Sequence, residues 1–253
     1  SSATVVSCGQ QAGGIVGRVN DSDTDKKEDK AVISNCWFDG QFSLTGETTT
    51  YGGGIVGYLF RGDLDMSHCL NTGSLSSEAT GRALHFGGLV GSVNASGTLN
   101  LADNLNTGIF NVKHDIGVGS VIGRISTDDP KARTVNIEDT YALAGSYKVL
   151  VGTSTKYRSH GAVTPMPKSI LTGYTAYQWT ELDFKDNWAV VEDGTPVLQT
   201  FATKVPSLFG YTKLFDLDWY DEDKTKYELR TEKELRGLAL MSAIDDFKGK
   251  TIT

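Results

Sequence analysis

The apolar positions of this chain recur as a set phrase. Gly13-Gly14-Ile15-Val16-Gly17 returns as Gly53-Gly54-Ile55-Val56-Gly57, then as Gly87-Gly88-Leu89-Val90-Gly91, with a looser fourth copy at Gly119-Ser120-Val121-Ile122-Gly123. The copies begin 40, 34 and 32 residues apart. A recurrence on that scale marks supersecondary units that stack, because one such unit cannot bury its own apolar face. The same parts follow each signature. A strand leaves it, as in Gly54-Ile55-Val56-Gly57-Tyr58-Leu59. A second strand ends at a cysteine, as in Val32-Ile33-Ser34-Asn35-Cys36 and Leu64-Asp65-Met66-Ser67-His68-Cys69. A corner closes it at Asp39-Gly40, Asn71-Thr72-Gly73 or Asn106-Thr107-Gly108, residue types that tolerate positive φ. A third short strand follows, Gln41-Phe42-Ser43-Leu44 or Ser74-Leu75-Ser76. Three strands and three corners in ~35 residues predict one coil of a β-solenoid. The expected fold class is all-β: a right-handed β-solenoid (β-helix) of about four coils over residues 1–146, with a C-terminal cap and a short strand–helix–strand segment.

Side chains alternate between the faces of a strand. Ile15, Gly17 and Val19 share one face, as do Ile55, Gly57 and Leu59, then Leu89, Gly91 and Val93, then Val121, Gly123 and Ile125. All are apolar or glycine, so this face is predicted to look into the core. The other face carries Arg18, Tyr58, Ser92 and Arg124, which reads as solvent-facing. It also carries Val16, Val56, Val90 and Ile122, an apolar column that needs a neighbouring loop or sheet as cover, or is itself a contact surface. Between Asn20 and Lys30 lies an inserted polar loop, which a stacked fold accepts at little cost.

The signature stops near Tyr147. Residues 147–203 read as a polar irregular stretch to 164, a short helical turn from Pro165 to Leu171, and a hairpin. The hairpin joins Trp188-Ala189-Val190-Val191 to Pro196-Val197-Leu198-Gln199 around Glu192-Asp193-Gly194. With Trp179, Leu182 and Phe184 it is expected to cap the solenoid, whose last coil otherwise offers bare strand edges. Residues 204–253 change character again. Trp219 to Lys224 forms a polar corner, and Thr231-Glu232-Lys233-Glu234 is a capping-box pattern. It opens one helix near 231–244, with Leu235, Leu238 and Ala239 on one face, before a strand at Lys250-Thr251-Ile252-Thr253.

Charge narrows the partners. Lys plus Arg number 24 against 31 Asp plus Glu, a net charge of −7 that speaks against nucleic acid or an acidic membrane held by bulk charge. The 29 glycines and 5 prolines fit many tight corners and short strands. No apolar run reaches the ~18 residues of a membrane span, so no membrane insertion is expected in this fragment. The first residues resemble the end of a repeat and the last stop on a strand edge. Both ends read as cuts, with any targeting segment outside them.

Two readings of the three cysteines stand side by side. Cys8, Cys36 and Cys69 are 28 and 33 residues apart, close to the repeat interval. They form a column of small apolar side chains, or Cys36 and Cys69 pair as a disulfide between coils ~4.8 Å apart.

The Gly-Gly-(Ile/Leu)-Val-Gly core, with Ser34-Asn35-Cys36 or Ser67-His68-Cys69 and then Asn71-Thr72-Gly73, resembles the GLUG repeat. That repeat occurs in secreted and surface proteins of bacteria, including adhesin-like proteins and the non-catalytic arms of IgA-specific metallopeptidases. Asp186-Asn187-Trp188 through Leu198 is similar to the segment closing such arrays, and Trp219 through Ile252 to the lead-in of a second array. Two departures are visible: Ser120 replaces the second glycine, and the third and fourth copies lack the cysteine, with Asp103 and Asp139 nearby. The resemblance implies an extracellular, bacterial cell-surface or secreted location. It also implies a role in cell adhesion as a binding or spacer module that displays loops to a host-surface protein or glycan, and it supplies no catalytic residues.

Other chemistry is thin. The histidines, His68, His85, His114 and His160, form no His-Glu-x-x-His, and no Gly-x-Ser-x-Gly is present. Asp21, Asp23, Asp25 and Asp29 imitate part of a calcium loop, but Lys26 stands where its glycine belongs and Val32 where its glutamate belongs. No catalytic, metal or cofactor-binding residue is assigned and no cofactor is expected. A carbohydrate-active β-helix, a lyase or glycosidase, is the alternative class, and needs stacked carboxylates or a base with calcium-binding acids. The accessory arm of a surface peptidase is a further alternative. Arg61-Gly62-Asp63 follows the second signature strand and is the candidate ligand contact, of integrin-binding type; its other reading is a turn around Gly62. Asn20-Asp21-Ser22 and Asn94-Ala95-Ser96 fit the glycosylation sequon.

Overall fold

The computed structural model describes residues 4–7, 10–20, 30–45, 50–78, 84–94, 97–113, 117–126, 133–154, 158–191, 193–202, 216–242 and 245–253. Cys8, the acidic loop 21–29, His114, Ala95 and Ser96 of the second sequon, and Ile244 lie outside the described residues.

The chain winds as a parallel β-solenoid. The first rung is β1 (Thr4–Ser7), β2 (Gln11–Gly13), β3 (Val16–Asn20) and β4 (Lys30–Phe38); the second is β5 (Gln41–Leu44), β6 (Thr50–Gly53), β7 (Val56–Arg61) and β8 (Asp63–Asn71). The third is β9 (Ser74–Ser77), β10 (Leu84–Gly87), β11 (Val90–Asn94) and β12 (Gly97–Asn106); the fourth is β13 (Ile109–Val112), β14 (Val118–Gly119), β15 (Ile122–Ser126) and β16 (Arg133–Leu143). Equivalent strands stack in the orders β1-β5-β9-β13, β2-β6-β10-β14, β3-β7-β11-β15 and β4-β8-β12-β16. From β1 to β13 the chain makes about three turns, and a partial turn follows, so the count differs only slightly from four.

Each rung holds four strands rather than the expected three. The additional strand, β2, β6, β10 or β14, precedes the corner, where its pattern is hidden by glycine and polar residues. The Gly-Gly-(Ile/Leu) of the signature is the corner itself, a bend at Gly54-Ile55 and at Gly88-Leu89. That bend breaks the alternation. Ile55 and Val56 are both fully buried, as are Leu89 with Val90 and Val121 with Ile122. The second apolar column thus belongs to the same core, and the contact surface offered for it is not there. Ile15, in the terminal rung, is 38% exposed whereas its stacked counterparts Ile55 and Leu89 are at 0%.

Steric room explains the second glycine. A Cβ on Gly54 would lie 2.7 Å from Cγ of Asn71, and one on Gly88 would lie 2.5 Å from Cγ of Asn106. These asparagines stack in register and form a buried ladder: Asn71 Nδ2 donates to Asn106 Oδ1 at 2.7 Å, and Asn106 Nδ2 donates to the Ser120 carbonyl at 2.7 Å. Their Oδ1 atoms also accept from the backbone N–H of Gly73 and Gly108, fixing the next corner. In the fourth rung the ladder position is Ala142, and there the glycine has become Ser120, itself buried.

A second row resolves the missing cysteines. Cys36 stacks on Cys69, the Cys69 N–H donates to Asn104 Oδ1 at 2.9 Å, and Asn104 stacks on Thr140. The cysteine place is therefore filled by Asn104 and Thr140, not by the neighbouring aspartates. Asp103 and Asp139 instead continue the positive-φ position of Asn35 and His68. Both described cysteines are free thiols, so the stacked-column reading describes them.

The stack does not end at 146. β17 (Val151–Ser154) pairs with β15, and β18 (Arg158–His160) and β19 (Thr164–Met166) pair with β16. About half of the described residues in the stretch expected to be irregular are strand, and Pro165 is in β19, with a turn at 168–170 after it. The chain divides into two compact units, 1–168 and 169–253. The second unit holds α1 (Tyr174–Trp179), the expected hairpin as β20 (Trp188–Ala189) against β21 (Val197–Leu198), and α2 (Gln199–Ala202). Then come β22 (Lys226–Tyr227), α3 (Glu232–Met241) and β23 (Thr251–Ile252), with β22 parallel to β23. The capping box is formed: Glu234 N–H donates to Thr231 Oγ1 at 3.2 Å, and Thr231 N–H donates to Glu234 Oε2 at 2.7 Å. Leu235, though on the apolar face, is 59% exposed.

Candidate functional site

One outward patch of the solenoid gathers side chains with chemistry. Alternation in β3, β7, β11 and β15 sets Arg18, Tyr58, Ser92 and Arg124 in one register row on the face away from the core. The row expected to face solvent does so only in part: Arg18 is exposed and Arg124 half-buried, whereas Tyr58 and Ser92 are 5% and 1% exposed, with the Tyr51 ring stacked over Tyr58. The strand before the corner contributes another row, in which Gln11, Tyr51 and His85 are stacked partners. The corner brings the two rows together. The Tyr51 ring lies 4.3 Å from that of Tyr58 at an interplanar angle of 4°, and 5.3 Å from the His85 ring at 21°.

Arginines flank these rings. The Arg18 guanidinium sits 4.5 Å above the Phe60 ring and 5.9 Å from that of Tyr58, and the Arg61 guanidinium sits 5.0 Å from Phe60. Such stacking orders a guanidinium while leaving its N–H fork free. Arg124 donates from Nη1 to His85 Nε2 at 3.0 Å and from Nη2 to Ser126 Oγ at 3.0 Å. A guanidinium only donates, so His85 Nε2 accepts and the ring's proton is on Nδ1. Burial, helped by the charge of Arg124, pushes the His85 pKa down to about 4, so the ring is neutral at physiological pH. Tyr58 Oη accepts from Asn94 Nδ2 at 2.9 Å, and burial raises its pKa above the ordinary tyrosine value.

Three features set the patch apart. Arg18 and Arg61 are exposed and Arg124 is half-buried, and among the described residues none of the three makes an ion pair. Ser92 Oγ and His85 Nδ1 are buried without a hydrogen-bond partner among the described residues. Among the described residues, no carboxylate takes part in the contacts that build the patch. Among the described residues no three His, Cys, Asp or Glu gather in a metal-holding group.

The Arg61-Gly62-Asp63 corner is built into the stack. Gly62 has φ of 88°, and Asp63 Oδ1 accepts the Thr98 N–H. Arg133, fully buried on the same side, donates to the Gly62 carbonyl at 3.4 Å and to the Asn94 carbonyl. Its pKa is lowered to about 10 by burial, against the opposing pull of Asp63. Of the tripeptide, Arg61 alone belongs to the outward patch. On the adjoining sheet Lys30 pairs with Asp65, which begins an outer ladder: Asn100 Nδ2 donates to Asp65 Oδ1 at 2.6 Å and Asn136 Nδ2 to Asn100 Oδ1 at 2.6 Å. Against the upward pull of burial, the bonds from Lys30 and Asn100 hold the Asp65 carboxyl below its ordinary pKa. His68 and Asp103, neighbours in the positive-φ column, approach to 3.2 Å. In the second unit a cavity of about 610 Å³ is bordered by Tyr174, Tyr177, Asp183, Lys185, Tyr220 and Met241.

Comparison of the chain with protein-family models, with curated proteins and with solved structures finds no match.

Proposed function

We propose that this chain is a non-catalytic binding and spacer module of a bacterial cell-surface, adhesin-like protein built on GLUG-type repeats. Its action is mechanical and adhesive. In-register sheets and the buried asparagine ladder make a stiff body, and that body holds a fixed outward patch toward a host-surface protein or glycan. The observation that carries the reading is the row Arg18-Tyr58-Ser92-Arg124 joined by Tyr51 and Phe60: arginines without ion-pair partners among the described residues, Arg18 ordered on aromatic rings and Arg124 on His85, on in-register parallel strands. Asp63 is assigned to the corner rather than to a receptor, because its carboxylate is engaged by Thr98.

The test is a binding screen of the purified chain against immobilised host glycans and surface proteins, with the same polysaccharides assayed for released products. Retention without product release is expected. Product release would replace the module by a carbohydrate-active enzyme.

A further inference from the structure

Resting on that reading, we propose that the outward patch is a subsite for an acidic polysaccharide, carboxylated or sulfated, lying across the rungs along the solenoid. Charge complementarity carries the argument. The whole chain is at −7, yet this strip presents three arginines with no ion-pair partner among the described residues. Arg18 belongs to the first rung, Arg61 to the second and Arg124 to the fourth. With rungs ~4.8 Å apart, the cations are spread over ~14 Å, a span for several acid groups of one linear polymer rather than one small anion. Guanidinium forks suit both carboxylate and sulfate oxygens.

The rest of the patch suits sugar. The Tyr51 ring is half-buried and flat against Tyr58, and Gln11, Asn94 and Ser126 bring amides and a hydroxyl within the same patch. Nucleic acid has the opposite requirement: a wide basic footprint able to release many counterions, which three arginines on an acidic chain do not provide.

Affinity electrophoresis of the intact chain tests this, in gels containing polygalacturonate, chondroitin sulfate, or uncharged dextran. Retardation in either acidic gel, absent in dextran and weakened by added salt, is expected. The two acidic gels separate the carboxylate source from the sulfate source. R18Q and R61Q, both at exposed positions, should each weaken retardation about fivefold or more, whereas R158Q, an exposed arginine on another sheet, should leave it unchanged. Arg18→Lys should recover part of the loss. Equal retardation in dextran, or R18Q and R61Q behaving as wild type, would overturn the inference. So would a chain retarded in neither acidic gel. In those cases capture by a host protein or neutral glycan in the wider screen would leave the module reading standing. Release of products from a bound acidic glycan would do the reverse.

Discussion

The buried asparagine ladder yields the sharpest stability test. Asn106→Leu keeps the branched outline of the side chain and removes its polar atoms. It strands three partners: the Asn71 Nδ2 donor and the Ser120 carbonyl, each bonded at 2.7 Å, and the Gly108 N–H at 3.3 Å. Asn106, Asn71 and Ser120 are all buried, so water does not replace what is lost. A buried polar group left without a partner costs about 1–3 kcal/mol, and the leucine methyl groups would press against the carbonyl they replace a bond to. The expected loss is about 4 kcal/mol, a large share of the 5–15 kcal/mol typical of a folded domain. Asn100→Leu is the matched control. It removes the same residue type from the same strand with ladder bonds at 2.6 Å on either side, but on the outer face, where water can compensate, so about 1 kcal/mol or less is expected. Urea unfolding followed by far-ultraviolet circular dichroism measures both. With a slope of about 2 kcal/mol per molar urea, Asn106→Leu should lower the midpoint by about 2 M and the control by about 0.5 M or less. Equal shifts in the two variants would refute the reasoning.

Further outcomes follow from single contacts. Gly88→Ser should prevent folding of the solenoid, since its Cβ would stand 2.1 Å from the Ser120 carbonyl oxygen, while Ser120→Gly should be nearly neutral; soluble yield and dichroism report both. His85 titrates far below its ordinary value in the folded chain, so between pH 6.5 and 4 the unfolded chain binds the proton and the folded one does not. Its contribution is therefore whole above about pH 6.5 and declines as pH falls toward 4, by about 3 kcal/mol. His85→Gln should remove that part of the slope in a pH series of urea midpoints, and an unchanged slope would contradict it. The contact with Cys69 lowers the Cys36 pKa to about 7, while the same contact, and after it burial, raises that of Cys69. In a Cys8→Ser chain, iodoacetamide should label Cys36 first, at a rate rising through pH 7, and leave Cys69 protected; preferential labelling of Cys69 would reverse the assignment.

Much of the architecture was legible because stacking repeats its demands at a fixed interval. Each rung needs the same corner and the same inward aliphatics, so Ile55, Leu89 and Val121 announced themselves, as did Asn71-Thr72-Gly73. Local chemistry was legible too, at the capping box and the hairpin. What escaped was whatever depends on the bend. Period-two reasoning assumes a straight strand, and the corner at Gly54-Ile55 resets it, which turned Val56 inward and hid β6. The same bend brings Tyr51 onto Tyr58, so the outward patch was seen only as Arg18, Tyr58, Ser92 and Arg124. A signal for its second row was present: His85 follows Tyr51 by the 34 residues that separate the second and third signatures. Arg133 gave no such sign, because a buried arginine is recognisable only once the carbonyls of Gly62 and Asn94 are seen around it.

The central claim is that rungs distant in sequence lie directly on one another. Methyl nuclear Overhauser contacts test it most directly. Leu59, Val93 and Ile125 are fully buried register partners, 34 and 32 residues apart, and only the stack brings them together. Cross-peaks Leu59–Val93 and Val93–Ile125 are expected, along with Leu64–Leu99 and Leu99–Val135 from the adjoining sheet. A spectrum in which these methyl groups are assigned and contact only their sequence neighbours would contradict the account.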